Sequence, residues 1–102
     1  MISSKQRAYL RSLANGIDTI LMVGKGGMSE QIEKQAADAL KARELIKGRV
    51  LETCELSARE AAEQIAEAVK ADVVQVIGSK FVLYKRNEKD PKIELPKKNK
   101  KG

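Results

Sequence analysis

The sequence predicts an α/β domain, a two-layer sandwich in which an N-terminal helix is followed by βαβαββ and four strands form one mixed sheet. Three observations predict it. Segments 29–43 and 57–69 carry small and branched apolar residues at helical spacing, and each lies between short β-branched runs. Each of these segments opens on a serine placed to cap a helix. The last two apolar runs are separated only by Gly78-Ser79, a hairpin signal with glycine first, as a type II′ turn prefers. Two right-handed crossovers in the same direction put both later helices on one face of the sheet. The face taken by the first helix is left open.

The first helix begins at Ser3, which with Gln6 three residues on resembles a capping box, and runs to about Asn15 with Gly16 ending it. Gln6, Leu10 and Leu13 share a face with Tyr9 at its edge, and Arg7 and Arg11 form an exposed i, i+4 ridge beside it. Ile17–Val23 reads as a strand, and the unbroken apolar run Ile20–Val23 predicts burial on both faces. From Ser29 the second helix reaches Arg43, with Ile32, Ala36, Ala39 and Leu40 inward. Leu45–Leu51 is the next strand; Lys47 and Arg49 alternate with Ile46, Gly48 and Val50, so one face is wet and basic.

Ser57 and Glu60 form a clear capping box, and Ala58, Ala61, Ala62, Ile65 and Val69 make the inner stripe of the third helix. Val73–Ile77 and Phe81–Arg86 are the last strands. Beyond Arg86 the chain is rich in Lys, Asn and Pro, with Ile93 and Leu95 as the candidate anchors. Residues 1–86 are therefore read as the domain and 87–102 as a mobile basic tail.

A chain of 102 residues, 42% of them hydrophobic, supports one modest core, and three aromatics leave Ile, Leu, Val and Ala to build it. No apolar run approaches the ~18 residues of a membrane span, no secretory signal is evident, and Cys54 is the lone cysteine. A cytoplasmic location is expected. The net charge of +6 is segregated. Lys5, Arg7, Arg11 and Lys25 face only Asp18 in the first 27 residues, and six lysines face three carboxylates after residue 86. Residues 52–71 instead hold five glutamates against Arg59 and Lys70. A polyanion is drawn to one side of such a molecule and turned away from another.

Catalysis is a poor fit. Without histidine there is no imidazole base, and one cysteine without histidine makes a zinc site unexpected. Cys54, between Glu52 and Glu55, has its thiolate disfavoured and reads as structural or incidental. No metal, cofactor or small-molecule substrate is expected. The stretch that points to function is Gly24-Lys25-Gly26-Gly27, between an apolar strand and a helix start. Its glycines admit close backbone approach, Lys25 brings a positive charge, and the following helix offers unpaired N–H groups. It lacks the third glycine of a dinucleotide fingerprint and the Lys-Ser/Thr ending of a P-loop. A GxxG loop that clamps a nucleic-acid backbone matches a small, basic domain better.

Several spaced motifs resemble the bacterial CRM-domain (YhbY-like) family, small ribosome-associated proteins whose domain also recurs in plant organelle splicing factors. These are Lys5-Gln6-Arg7, Leu10-Arg11 and Leu13-Ala14, the glycine loop with Ser29-Glu30, Glu44-Leu45-Ile46-Lys47, Val76-Ile77-Gly78, and Val82-Leu83-Tyr84-Lys85-Arg86. The resemblance implies a fold like the C-terminal domain of translation initiation factor three, with the fourth strand inside the sheet. It also implies non-catalytic binding of ribosomal RNA in large-subunit precursors, as an assembly factor. Met28 stands where the family usually has Leu. Gly48 stands where it usually has a β-branched residue, and is expected to loosen the second strand.

The expected site follows. Lys25 pairs a phosphate, Gly24, Gly26 and Gly27 admit the backbone, and Lys5, Arg7 and Arg11 extend the basic surface. Lys47, Arg49, Lys80, Lys85 and Arg86 are further contacts whose faces strand polarity does not assign. Phe81 and Tyr84 are expected in the core rather than stacked on bases. A monomer is expected, with RNA as partner and no membrane. The competing reading is a small nucleotide-responsive interaction protein using the same loop.

Overall fold

The computed structural model describes residues 2–24, 29–87, 89 and 93. Its elements are α1 (Ser4–Ala14), β1 (Thr19–Val23), α2 (Glu30–Arg43), β2 (Leu45–Val50), α3 (Ala58–Val69), β3 (Asp72–Ile77) and β4 (Lys80–Tyr84). Serine starts each described helix by taking one of the N–H groups that the first turn leaves unpaired. Ser3 Oγ accepts from the Gln6 N–H at 3.1 Å while Gln6 Oε1 accepts from the Ser3 N–H at 3.0 Å. Ser57 and Glu60 repeat that reciprocal pair at 3.1 and 2.9 Å, and Ser29 Oγ accepts from the Ile32 N–H at 3.2 Å. The helices end within a residue of the expected positions. Gly16 takes no left-handed conformation; the residues that do close helices at positive φ are Glu44 (66°) and Lys70 (61°). Gly78, at φ 58°, makes the turn between β3 and β4 as its sequence position demands.

The strand order is β1-β2-β4-β3, with β1 parallel to β2 and β4 antiparallel to both of its neighbours. The fourth strand is thus inside the sheet, as expected. α2 and α3 form the helical layer on one face, burying Leu21, Val23, Ile46, Val50, Phe81 and Leu83 against Ala36, Leu40, Ala61, Ala62 and Ile65. α1 settles on the opposite face, where Leu10 and Ala14 pack on Leu45, Val74, Val82 and Tyr84. Both predicted core aromatics are buried.

One expectation is overturned in β1. Leu21 and Val23 are buried, but Ile20 and Met22 are exposed, Met22 by 52%. β1 is an edge strand, and α1 packs on β2, β3 and β4. An apolar run reports what a strand tolerates, not how far a helix reaches across the sheet.

Past β4, Asn87 and Ile93 are tied to the domain. The fully buried Glu44 accepts from the backbone N–H groups of Asn87 and Ile93, each at 2.6 Å. Asn87 Nδ2 also donates to the Lys41 carbonyl at 3.1 Å, and Ile93 joins the α1-side cluster. Contacts therefore continue beyond Arg86; most of 87–102 lies outside the described residues. No described helix is long and apolar enough to cross a membrane.

Candidate nucleic-acid interface

Pairing register aligns the basic residues that strand polarity left unassigned. Met22 stands opposite Arg49, Arg49 opposite Lys80, and Lys80 opposite Ile77. Partners in a ladder point to the same face, so these four side chains form one row across the whole sheet. Gly48 and Phe81, one residue along, pair with each other on the α2–α3 side. The row therefore lies on the α1 side, beyond the part α1 covers, and all four residues are exposed. Lys47, half-buried, sits one row behind, paired with Thr19 and Val82.

The same end of the sheet launches the glycine loop. Gly24 follows Val23, whose carbonyl accepts from the Leu51 N–H at 2.8 Å. A Cβ on Gly24 would come within 3.3 Å of Leu51 Cδ1, a contact tighter than usual. Lys25, Gly26 and Gly27 lie outside the described residues. At the entry to α2 the protein already answers its own helix end. Ser29 caps it, and Glu30 and Glu33 occupy the first turn, where they favour the positive end of the dipole and oppose a bound phosphate.

The remaining expected site residues are dispersed. Arg7 is half-buried, and its guanidinium donates to the backbone carbonyls of Val73 and Val74. It docks α1 on β3 rather than forming an exposed ridge with Arg11. Lys5 and Arg11 are exposed on α1. Lys85 and Arg86 lie past the far end of β4. Lys85 Nζ donates to the Val69 carbonyl at 2.8 Å, at the C-terminus of α3, where a cation is favourable. Arg86 borders a cavity of about 490 Å³ shared with Lys41, Asn87 and Lys89. No local pattern in the sequence marks Lys41 and Lys89 for this place, because only the contact of Asn87 with Lys41 and Glu44 brings them together.

The acidic helix and the cationic row lie on opposite faces of the sheet. Arg49 and Lys80 are on the α1 side, whereas the exposed Glu60, Glu63 and Glu67 ride on α3 against the other face. Within that acidic helix Arg59 reaches Glu63 at 3.7 Å, an exposed pair of small energetic weight. No group of three or more His, Cys, Asp or Glu among the described residues is placed to hold a metal. Cys54 is half-buried, and its sulfur accepts from the Leu56 N–H at 3.4 Å, a local turn contact.

Such a fold and charge distribution define a small α/β module with one face complementary to a polyanion. The chain belongs to the CRS1 / YhbY (CRM) domain family, whose sequence profile matches residues 2–85. It is 44% identical over 96 residues to the Probable RNA-binding protein YqeI of Bacillus subtilis (strain 168), across 94% of this chain and 100% of that one. An RNA-binding protein of Haemophilus influenzae is 34% identical over 97 residues, covering 95% of this chain and 97% of its own. The solution structure of the hypothetical protein SAV1595 from Staphylococcus aureus superposes with a TM-score of 0.78 at 47% identity, over 94% of this chain and 100% of that one. The relatives are named for binding RNA and not for catalysis.

Proposed function

We propose that this protein binds RNA without catalysis, through the open end of the α1-side sheet face and the glycine loop Gly24–Gly27. Its target is ribosomal RNA of large-subunit precursors, which it serves as an assembly factor. The observation that carries the reading is the placement of Arg49 and Lys80 on one face, at the sheet end where Gly24 leaves β1, with Lys47 one row behind on the same face. The names of the relatives support RNA as the polyanion, and the family resemblance supports the ribosomal target. Lys25 adds a phosphate contact, Gly26 and Gly27 admit the backbone, and Arg11 and Lys5 extend the field along α1. Lys85 and Arg7, each already bonded to backbone carbonyls, are secondary.

A salt titration with single-stranded RNA tests the electrostatic part. About four to six phosphate contacts give a log–log slope of roughly −3 to −4, and a slope near zero overturns the reading. Arg49→Ala combined with Lys80→Ala flattens the slope by about 1.4, while Arg59→Ala on the acidic helix leaves it unchanged. Gly26→Asp in the loop costs more affinity than Lys25→Ala, because it adds both a Cβ and a negative charge where backbone and phosphate approach. Cosedimentation with large-subunit precursor particles at low and moderate salt tests the target.

A further inference from the structure

We propose that the row Met22–Arg49–Lys80–Ile77 selects unpaired RNA, with Met22 and Ile77 seating base faces on either side of two phosphate-binding cations. The inference rests on the RNA-binding reading above and names the kind of RNA this face accepts. Met22 and Ile77 are 52% and 63% exposed, the two most exposed of the large apolar side chains in the described structure. Single exposed apolar residues are ordinary. What is unusual is their placement, at both ends of one row whose middle is Arg49 and Lys80. With strands about 4.8 Å apart, the row spans roughly 14 Å from β1 to β3.

The chemistry of the row chooses among partners. A second copy of this chain laid face to face would bring Arg49 and Lys80 against the same two cations, so self-association is opposed by charge. An RNA duplex offers phosphates and riboses but hides its bases. It would satisfy Arg49 and Lys80 and leave Met22 and Ile77 against polar backbone. An unpaired strand presents apolar base faces and phosphates together, and so answers all four side chains.

Phe81 and Tyr84 are buried and the exposed Tyr9 belongs to α1, so the row itself holds no aromatic side chain. The polarizable Met22 thioether and the Ile77 side chain give weaker, sequence-tolerant contacts instead. Asn15 and Gln75 border an adjoining hollow of about 130 Å³ beside Lys47 and Lys80, and carry amides of the kind that hydrogen-bond base edges.

The test compares a short mixed-sequence RNA, single-stranded and annealed to its complement, by fluorescence anisotropy. Wild-type protein binds the single strand more tightly. Met22→Ser and Ile77→Ser each weaken single-strand binding roughly three- to tenfold, leave the salt slope unchanged and leave duplex binding unchanged. Met22→Leu retains wild-type affinity, since it keeps the apolar surface. Denaturant unfolding of the serine variants confirms that an intact fold is compared. Equal loss on both RNA forms, no loss on either, or a wild-type preference for duplex overturns the inference. So does a wild-type dimer by sedimentation that the serine variants dissociate, which would make the row a self-interface. If Arg49→Ala with Lys80→Ala weakens both RNA forms while the serine variants change nothing, only the preference for unpaired RNA fails. If that double variant also binds like wild type, the RNA-binding reading of this face fails with it.

Discussion

The Phe81 ring occupies the space that a side chain on Gly48 would need: a Cβ there would stand 2.5 Å from Phe81 Cζ and 2.7 Å from Cε1. The two residues are direct partners across β2 and β4. A glycine in a strand interior ordinarily weakens it. Here the missing side chain admits the protein's lone phenylalanine, buried to 1% exposure, into the centre of the sheet. The expected loosening of β2 is therefore replaced by a glycine–aromatic pair in which each residue depends on the other.

Gly48→Ala should accordingly destabilise the fold by about 1–3 kcal/mol, through overpacking rather than lost contact. Adding Phe81→Leu should recover part of that loss, because the smaller side chain vacates the Cβ position. Urea unfolding of both single variants and the pair, read as a double-mutant cycle, checks the coupling. Strict additivity would show that the ring moves aside freely.

Glu44 does two things at once: it ends α2 at positive φ, and its buried carboxylate receives the N–H groups of Asn87 and Ile93. Glu44→Ala should cost about 1–3 kcal/mol by removing the acceptor. Glu44→Gly removes the same acceptor and relieves the backbone, so it should be less destabilising than alanine by roughly 1 kcal/mol. In both variants the Asn87 and Ile93 amides should exchange with solvent faster than in the wild type. Unchanged exchange at these two amides would show that the carboxylate does not hold the segment.

Tyr84 connects the core to pH. Its phenol is pushed above the ordinary value of 10.0, by burial first and then by the nearby Glu44 carboxylate. The folded state therefore holds the phenolic proton more tightly than the unfolded state does. The stability this contributes is complete below a pH of about 10 and is lost as pH rises through the raised folded value. The buried hydroxyl has no hydrogen-bond partner among the described residues. Tyr84→Phe should thus match or exceed wild-type stability at neutral pH, within about 1 kcal/mol, and should lack this part of the alkaline decline. Parallel unfolding curves from neutral to alkaline pH provide the comparison.

Arg7 and Arg11 look alike in sequence and differ in the fold. Arg7→Ala leaves the Val73 and Val74 carbonyls without the guanidinium, and should cost about 1–3 kcal/mol. Arg11→Ala, at an exposed position, should stay within about 0.5 kcal/mol of wild type. Thermal unfolding by circular dichroism separates the two, and equal melting temperatures would argue against the docking role of Arg7.

Helix starts were readable because a cap is local: Ser3, Ser29 and Ser57 bond to backbone within three residues, whatever lies elsewhere. The α3 inner stripe and the Gly78-Ser79 turn were readable for the same reason, since helical period and turn conformation are set over a few residues. The ends of α2 and α3 fall at Arg43 and Val69, as the sequence places them, but the positive φ of the residues that close them is not a local signal. Glu44 and Lys70 adopt a conformation that disfavours their side chains; at Glu44, contacts with Asn87 and Ile93, 43 and 49 residues away, accompany it.

The candidate site divides the same way. Alternation in β2 by itself determined that Lys47 and Arg49 share a wet face, because side chains in a strand point to opposite sides in turn. Composition determined that the chain is basic, lacks an imidazole base and separates its acidic helix from its basic segments. Only the tertiary structure decided that Met22, Arg49, Lys80 and Ile77 stand in one row, that α1 leaves that row open, and that Arg7 turns inward. The reason is physical: register between strands and the reach of a helix across a sheet are set by packing between distant segments, and no local pattern of residues carries that information.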